Sequence, residues 1–244
     1  MEIDSAKQII TDSKNIYIIP SNEPEALVST LALFYTLKEL GKNVNLLVDA
    51  LPENLKFLSP SLDFISYPKN FIISIRNNVA EISQIYYEKN NEALKIHLTL
   101  ENGNIKKDNI SFYYSEAKPD VVITIGVKDY TKELGNKLDS FGFLLDSPVV
   151  NIDNVNTSAN LVQDNKKFGK INLVEENSLT EIIFALVKTL KQEPVSKNPA
   201  NCLLAGLIIY TENFKSKLSA EIFQMASDLM KSGADLKVIT DNIK

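Results

Sequence analysis

The sequence predicts an α/β protein: a doubly wound, mainly parallel sheet with a β-hairpin insertion and a helical C-terminal subdomain. Three observations lead there. A strand, helix, strand unit opens the chain, two further apolar runs of strand length follow it, and the stretch after Ser178 reads as helix alone.

In the opening unit, Ile16–Ile19 is a short apolar run followed by Pro20, Ser21 and Asn22. A helical stretch then runs from Glu23 to Leu40 and stops at Gly41, and residues 44–48 resume strand character. Leu27, Leu31 and Phe34 form one stripe of that helix and Ala26, Leu33, Leu37 and Leu40 another, so the helix is expected to be largely buried. Residues 120–125 and 148–152 read as buried strands, with a helix expected between them from Thr131 to about Leu138. Past Ser178, helices are expected at Leu179–Leu190, from Asn198-Pro199 onward, and at Ser219–Lys231 with Gly233 as the stop. Residues 71–118 break the alternation. Leu94, Ile96, Leu98 and Leu100 alternate with polar residues, Asn102-Gly103 supplies a turn, and 110–114 gives a return strand, with 71–76 as a third. The expected organisation is a single domain over 1–244, interrupted by the insertion at 70–118 and closed by the helical subdomain at 178–244.

Composition narrows the chemistry. The 244 residues carry 26 Lys+Arg against 31 Asp+Glu, a formal charge of −5, with 44% apolar and 23% charged residues. No run approaches the roughly 20 apolar residues of a membrane helix, so no membrane partner is expected. The acidic balance disfavours duplex DNA, and a small acidic or nucleotide ligand is the class left open. Cys202 and His97 are the only residues of their types, which rules out an intrachain disulfide and any multi-Cys or multi-His metal site. A metal here needs carboxylates. The opening residues, with Glu2 and Asp4 and no apolar stretch, lead to a cytoplasmic expectation.

Several segments together carry a resemblance. The run from Asn22 to Leu33 with Leu37–Lys42, then Asp120–Gly126, then Asn151–Val155 continuing to 168–174 and Ser178–Glu181, then Gly206–Thr211, then Ala226–Asp235, keep the order and spacing of the DHH phosphoesterases. That family includes RecJ-like exonucleases and the oligoribonuclease/phosphoadenosine-phosphate phosphatases. The resemblance implies phosphoester hydrolysis by two metal ions, usually manganese, held at the carboxyl ends of the strands. It also implies a smaller substrate-binding domain beyond Lys244, which this sequence does not include.

Carried over position by position, the first-motif His falls on Ile19 and its two Asp on Glu23 and Glu25. The second-motif Asp falls on Gly126, the DHH triplet on Asp153, Asn154 and Val155, and the fourth-motif Asp on Tyr210. Of the ligand positions Ile19, Glu23, Glu25, Gly126, Asn154 and Tyr210, only the two Glu keep a carboxylate. Paired divalent ions need several anionic or imidazole ligands, including one that bridges them, so no metal cofactor is expected.

Read without the resemblance, the same residues keep two roles open. Asn22 suits an N-cap with Glu25 three residues on, as in a capping box, and both Glu complement the positive end of the helix dipole. Otherwise Glu23, Glu25 and Asp153 are candidate catalytic or metal-binding residues. Asp153 follows a buried strand, where an open α/β sheet places its crevice or simply turns the chain. Asn22, Asn151, Asn154 and Asn156 are candidates to hydrogen-bond a base or sugar there, or to satisfy loop backbone. Ser178 and Glu181 read as a capping box, Cys202 as buried and inert, and His97 as exposed without a special role. Tyr86, Tyr87 and 112–114 form an aromatic face for a protein contact, a local core or base stacking.

Three functions follow as expectations. The first is a catalytically impaired relative serving as a binding or assembly module with nucleotide affinity. The second is a working phosphoesterase using Mn2+ or Mg2+ on short oligoribonucleotides or phosphoadenosine phosphate. The third is a structural partner whose hairpin at 71–118 joins another protein or its own copy.

Overall fold

The computed structural model describes residues 2–48, 50–60, 69–116, 118–130, 133, 146–154, 168–191 and 193–243. The chain divides into two compact units, Met1–Tyr67 with Lys118–Lys244, and Pro68–Ala117.

The first unit is built on a five-stranded parallel sheet. Its strands are β1 (Asn15–Pro20), β2 (Asn43–Leu46), β7 (Val121–Ile125), β8 (Val149–Asn154) and β9 (Ile171–Glu175), in the order β2-β1-β7-β8-β9. The chain order reverses between β1 and β7, the position at which open α/β sheets form a ligand crevice beyond the strand ends. Both faces of the central strands are covered. Ile16 to Ile19 and Val121 to Ile123 are fully buried, which is why these segments read as unbroken apolar runs without alternation. Asp120 ties the strand starts together by accepting from the backbone N–H groups of Lys14 (2.8 Å) and Asn15 (2.7 Å).

The helices are α1 (Glu2–Asp12), α2 (Pro24–Glu39), α3 (Leu179–Leu190), α4 (Lys197–Tyr210), α5 (Ala220–Lys231) and α6 (Leu236–Asn242). Helix α2 is buried from Ala26 to Leu37, as its two apolar stripes require, and packs against α3 and α4. Helix α3 starts with the expected capping box: Ser178 Oγ accepts from Glu181 N at 3.1 Å, and Glu181 accepts from Ser178 N at 3.1 Å. Ser219 and Asp235 cap α5 and α6 with their side chains alone, accepting from Ile222 N and Val238 N. The helix expected at Thr131–Leu138 falls largely outside the described residues. No described helix is long and apolar enough to cross a membrane.

The second unit consists of two antiparallel ribbons whose pairing differs from the expected one. Strand β4 (Ala80–Lys89) pairs with β5 (Leu94–Gly103), while β3 (Lys69–Ile75) pairs with β6 (Ile110–Glu116). The hairpin turn therefore lies at Asn90–Ala93, where Asn90 Oδ1 accepts from the backbone of Glu92 and Ala93. Asn102-Gly103 ends β5 instead of joining it to β6. The reason is that Ile73 and Ile75 offer β6 a matching apolar face, with Ile73 opposite Phe112 and Ile75 opposite Ile110.

Candidate functional site

A cavity of about 770 Å³ opens at the carboxyl ends of β1, β7 and β8. Ser21, Asn22, Glu23 and Glu25 enter it from the β1–α2 connection, Gly126 and Lys128 from the end of β7, and Asn154 from the end of β8. Leu179, Tyr210 and Lys217 close the helical side.

The acidic residues at the start of α2 are not arranged as the sequence suggested. Glu23, not Asn22, occupies the N-cap position, and no side chain caps the helix there. Glu25 does not reach back to form a capping box. Its carboxylate crosses to α3 and accepts from Thr180 N and Thr180 Oγ1, both at 3.0 Å. Pro24 explains part of this. A proline in the first turn has no N–H to be capped, so the local demand for an acceptor is smaller. Thr180 is fully buried and also meets Ser29 at 3.2 Å, so Glu25 stitches two helix starts together.

Burial pushes the Glu25 carboxyl above its ordinary value, and the Thr180 bonds and Lys217 pull only partly the other way. An acid whose pKa is raised on folding weakens the native state as pH climbs through the raised value. Glu25→Gln retains the acceptor and removes the charge. We expect native protein to gain stability over Glu25→Gln as urea melts move from about pH 8 down to the ordinary Glu value of 4.5. Glu25→Ala should cost about 1 kcal/mol at the acid end and less at about pH 8, because Thr180 N–H loses its acceptor while the same titration acts on the native protein.

Asp153 lies at the end of β8 with its side chain 3% exposed. Its partner is Lys128, whose ammonium donates to Asp153 Oδ1 at 2.5 Å and also approaches Asn154 O (3.2 Å) and Asn154 Oδ1 (3.4 Å). Asp153 Oδ1 further accepts from Asn154 N at 2.8 Å. The Lys128 ammonium thus sits among three oxygens of the β8 end, a set of donors that could face a metal ion. Glu133 fixes the loop bearing Lys128 by accepting from the backbone of Lys128 (2.7 Å) and Asp129 (2.9 Å). Burial raises the Asp153 pKa, and Lys128 opposes that rise.

On the helical side, residues 211–216 form a tight turn after α4. Glu212, Asn213, Phe214 and Lys217 all have positive φ, between 52° and 62°, an uncommon backbone for side-chain-bearing residues. Thr211 holds the turn: its carbonyl accepts from Lys215 and Ser216 N, and its hydroxyl accepts from Phe214 N. The outcome is that the Lys217 ammonium lies 4.6 Å from the centre of the Tyr210 ring. Burial, then the carboxylates of Glu181 and Glu25, push the Tyr210 phenol up, so it remains a neutral donor at neutral pH.

The remaining sequence candidates distribute as follows. Ile19 is fully buried in a small apolar cluster with Tyr17 and Val122. Asn151 does not join the crevice: it is buried in the sheet, accepts from Thr124 Oγ1 at 3.1 Å and faces Asn172. A strand residue two positions before Asp153 shares its face but sits too deep in the sheet to reach the crevice. Asn22 and Asn154 line the cavity, and Asn156 and Val155 lie outside the described residues. His97 is not simply exposed. It stacks on Tyr86 with ring centres 4.5 Å apart, which makes part of the aromatic face a local contact. Cys202 is buried, and burial raises its thiol pKa.

The donors present do not fit a pair of metal ions. Glu25 is committed to Thr180, Asp153 to Lys128, and Gly126 offers no side chain. Among the described residues no group of three or more His, Cys, Asp or Glu is placed to hold a metal ion.

No family model matches the sequence, and neither does any curated protein. Solved structures do match the fold. The crystal structure of an exopolyphosphatase-related protein from Bacteroides fragilis superposes with a TM-score of 0.65 at 18% identity, covering 99% of this chain and 59% of that one. This chain shares the fold of that exopolyphosphatase-related protein. It spans about 59% of the length of that structure. An exonuclease RecJ structure bound to manganese also aligns, at 12% identity and a TM-score of 0.47, over 95% of this chain and 48% of that one. Lys128, Glu133, Thr180 and Lys217 were not singled out in the sequence. For Lys128 one signal was available: a lysine two residues beyond Gly126, where a strand empties into the crevice.

Proposed function

We propose that this chain is a phosphoesterase-fold protein without two-metal chemistry, serving as a binding module for a small phosphate-bearing nucleotide. The observation that carries the reading is the Lys128 ammonium seated between Asp153 and Asn154, a fixed cation in the crevice. A tethered ammonium neutralises one carboxylate but cannot polarise water as a divalent ion does.

Two further features support ligand binding. Ser21 lines the cavity, and its buried hydroxyl has no hydrogen-bond partner among the described residues, a polar group left for a ligand to satisfy. Lys217 and the neutral Tyr210 phenol offer a phosphate a charge and a donor without a metal intermediary. Asn22 and Asn154 add amides suited to a base or sugar edge.

Calorimetry of the native chain with Mn2+ tests the first half and is expected to be flat up to millimolar metal. Titration with phosphoadenosine phosphate, a short oligoribonucleotide and inorganic polyphosphate in the presence of chelator tests the second. Saturable binding of at least one, weakened about tenfold by Lys217→Ala, is expected from losing one charge-assisted contact. Saturable Mn2+ binding, with hydrolysis abolished by Glu23→Ala, would establish the working phosphoesterase instead.

A further inference from the structure

We infer that the ribbon unit Pro68–Ala117 is a self-association surface, and that its apolar face is covered by the same face of a second copy of this chain. The inference is independent of the crevice.

The face is built deliberately along both ribbons. In β5, Leu94, Ile96 and Leu98 share one side by simple alternation. In β4 the sequence spacing would put Ile82 and Ile85 on opposite sides. The irregular register around Ser83 corrects this, because Ile82 pairs with Leu100, Ile85 with Leu98 and Tyr87 with Ile96. An inserted residue thereby keeps the apolar set together. In the other ribbon, Ile73 pairs with Phe112 and Ile75 with Ile110 on one side. The groove of about 590 Å³ that these strands form is lined by aliphatic and aromatic residues only.

The face is also uncovered. Ile73, Ile85, Tyr87, Leu94, Ile96 and Phe112 are each between 43% and 74% exposed. For side chains of this size that is on the order of 700 Å² of apolar surface, above the largest patch of a typical monomer and close to one partner's share, about 800 Å², of a standard interface. Among the described residues neither ribbon pairs with a third strand. A lone two-stranded ribbon is marginal in water and needs its apolar face buried against something.

The occupant follows from the lining. A small-molecule pocket encloses its ligand and carries a few placed polar groups, and this open groove has none. A foreign protein partner would be selected by charges matched across the face, and the groove lining has none; Lys89, opposite Leu94, stands at its end. A uniformly aliphatic surface is complementary to itself, as a two-fold interface requires.

Sedimentation velocity on the full chain from about 1 to about 100 µM, the weak end for interfaces of this size, should show a dimer that dissociates on dilution. Ile85→Glu and Ile96→Glu should each give a monomer whose far-UV circular dichroism matches native. Tyr86→Glu, on the opposite side of the ribbon, should stay dimeric. Hydrogen exchange on the native chain needs no variant: amides of 94–100 should gain protection on raising the concentration over the same range. A native chain that is monomeric throughout, with exchange independent of concentration, would overturn the inference and leave the face to its own chain or to another partner. So would dimers that persist in both Glu variants.

Discussion

Lys128→Ala is expected to lower stability by about 2 kcal/mol at neutral pH. The figure sits below the roughly 3–5 kcal/mol for breaking a fully buried pair because Lys128 is half exposed and water replaces part of what it gave. What remains is a carboxylate with its side chain 3% exposed and one backbone N–H, from Asn154, still donating to it. The sign of the pH dependence follows. Removing the ammonium raises the native pKa of Asp153 further, so the penalty is largest where the carboxylate is ionised. It should shrink as pH falls toward the ordinary Asp value of 3.8, where native and variant both carry a neutral acid. Urea melts of both proteins at several pH values measure this directly, and a penalty constant with pH would remove the ion pair as its cause. The same variant has a second readout. With the ammonium gone, Asp153 and the two oxygens of Asn154 are open to an external cation, and Lys128→Ala should bind Mn2+ more tightly than the native chain.

Gly126→Asp is expected to cost about 2–4 kcal/mol and to gain no metal binding. The substitution places an Asp where the resemblance to the DHH phosphoesterases would have a bridging ligand, yet the backbone there has φ +70°, a conformation that costs a side-chain-bearing residue about 1–2 kcal/mol. Space is short as well. A Cβ at Gly126 would stand 2.9 Å from Ser21 Oγ, 3.1 Å from Leu179 Cδ1 and 3.2 Å from Ala26 Cβ, and relieving such overpacking costs about 1–3 kcal/mol. Gly126→Ala should carry most of the same loss, which separates crowding from charge. Thermal melts of both variants, with calorimetry for Mn2+, check the pair. A stable Gly126→Asp protein that binds manganese would show that one missing side chain was the whole defect.

How far the sequence discloses this molecule depends on how far apart the deciding contacts lie. Strands β1, β7 and β8 and helix α2 were legible because each is buried along its own length, so its residues carry the pattern unaided. The Ser178–Glu181 box was legible for the same local reason. The ribbon pairing was not. Asn102-Gly103 has the composition of a hairpin turn, but β6 is claimed by β3, some forty residues upstream, and local composition does not encode that choice. Glu25 shows the same limit in the site. Its spacing from Asn22 fits a capping box, while its actual partner, Thr180, is 155 residues away. The lost ligand positions were visible one residue at a time, whereas the ammonium standing among the oxygens at the end of β8 required the β7 and β8 ends to be brought side by side.

The link from Lys128 to Asp153 has a consequence for how the crevice would behave in a cell. A positive charge carried on a side chain is present from the moment the chain folds. It needs no loading step, and neither scarcity of trace elements nor a chelator can strip it. The nucleotide binding proposed for this cleft would therefore hold steady while free magnesium and manganese rise and fall.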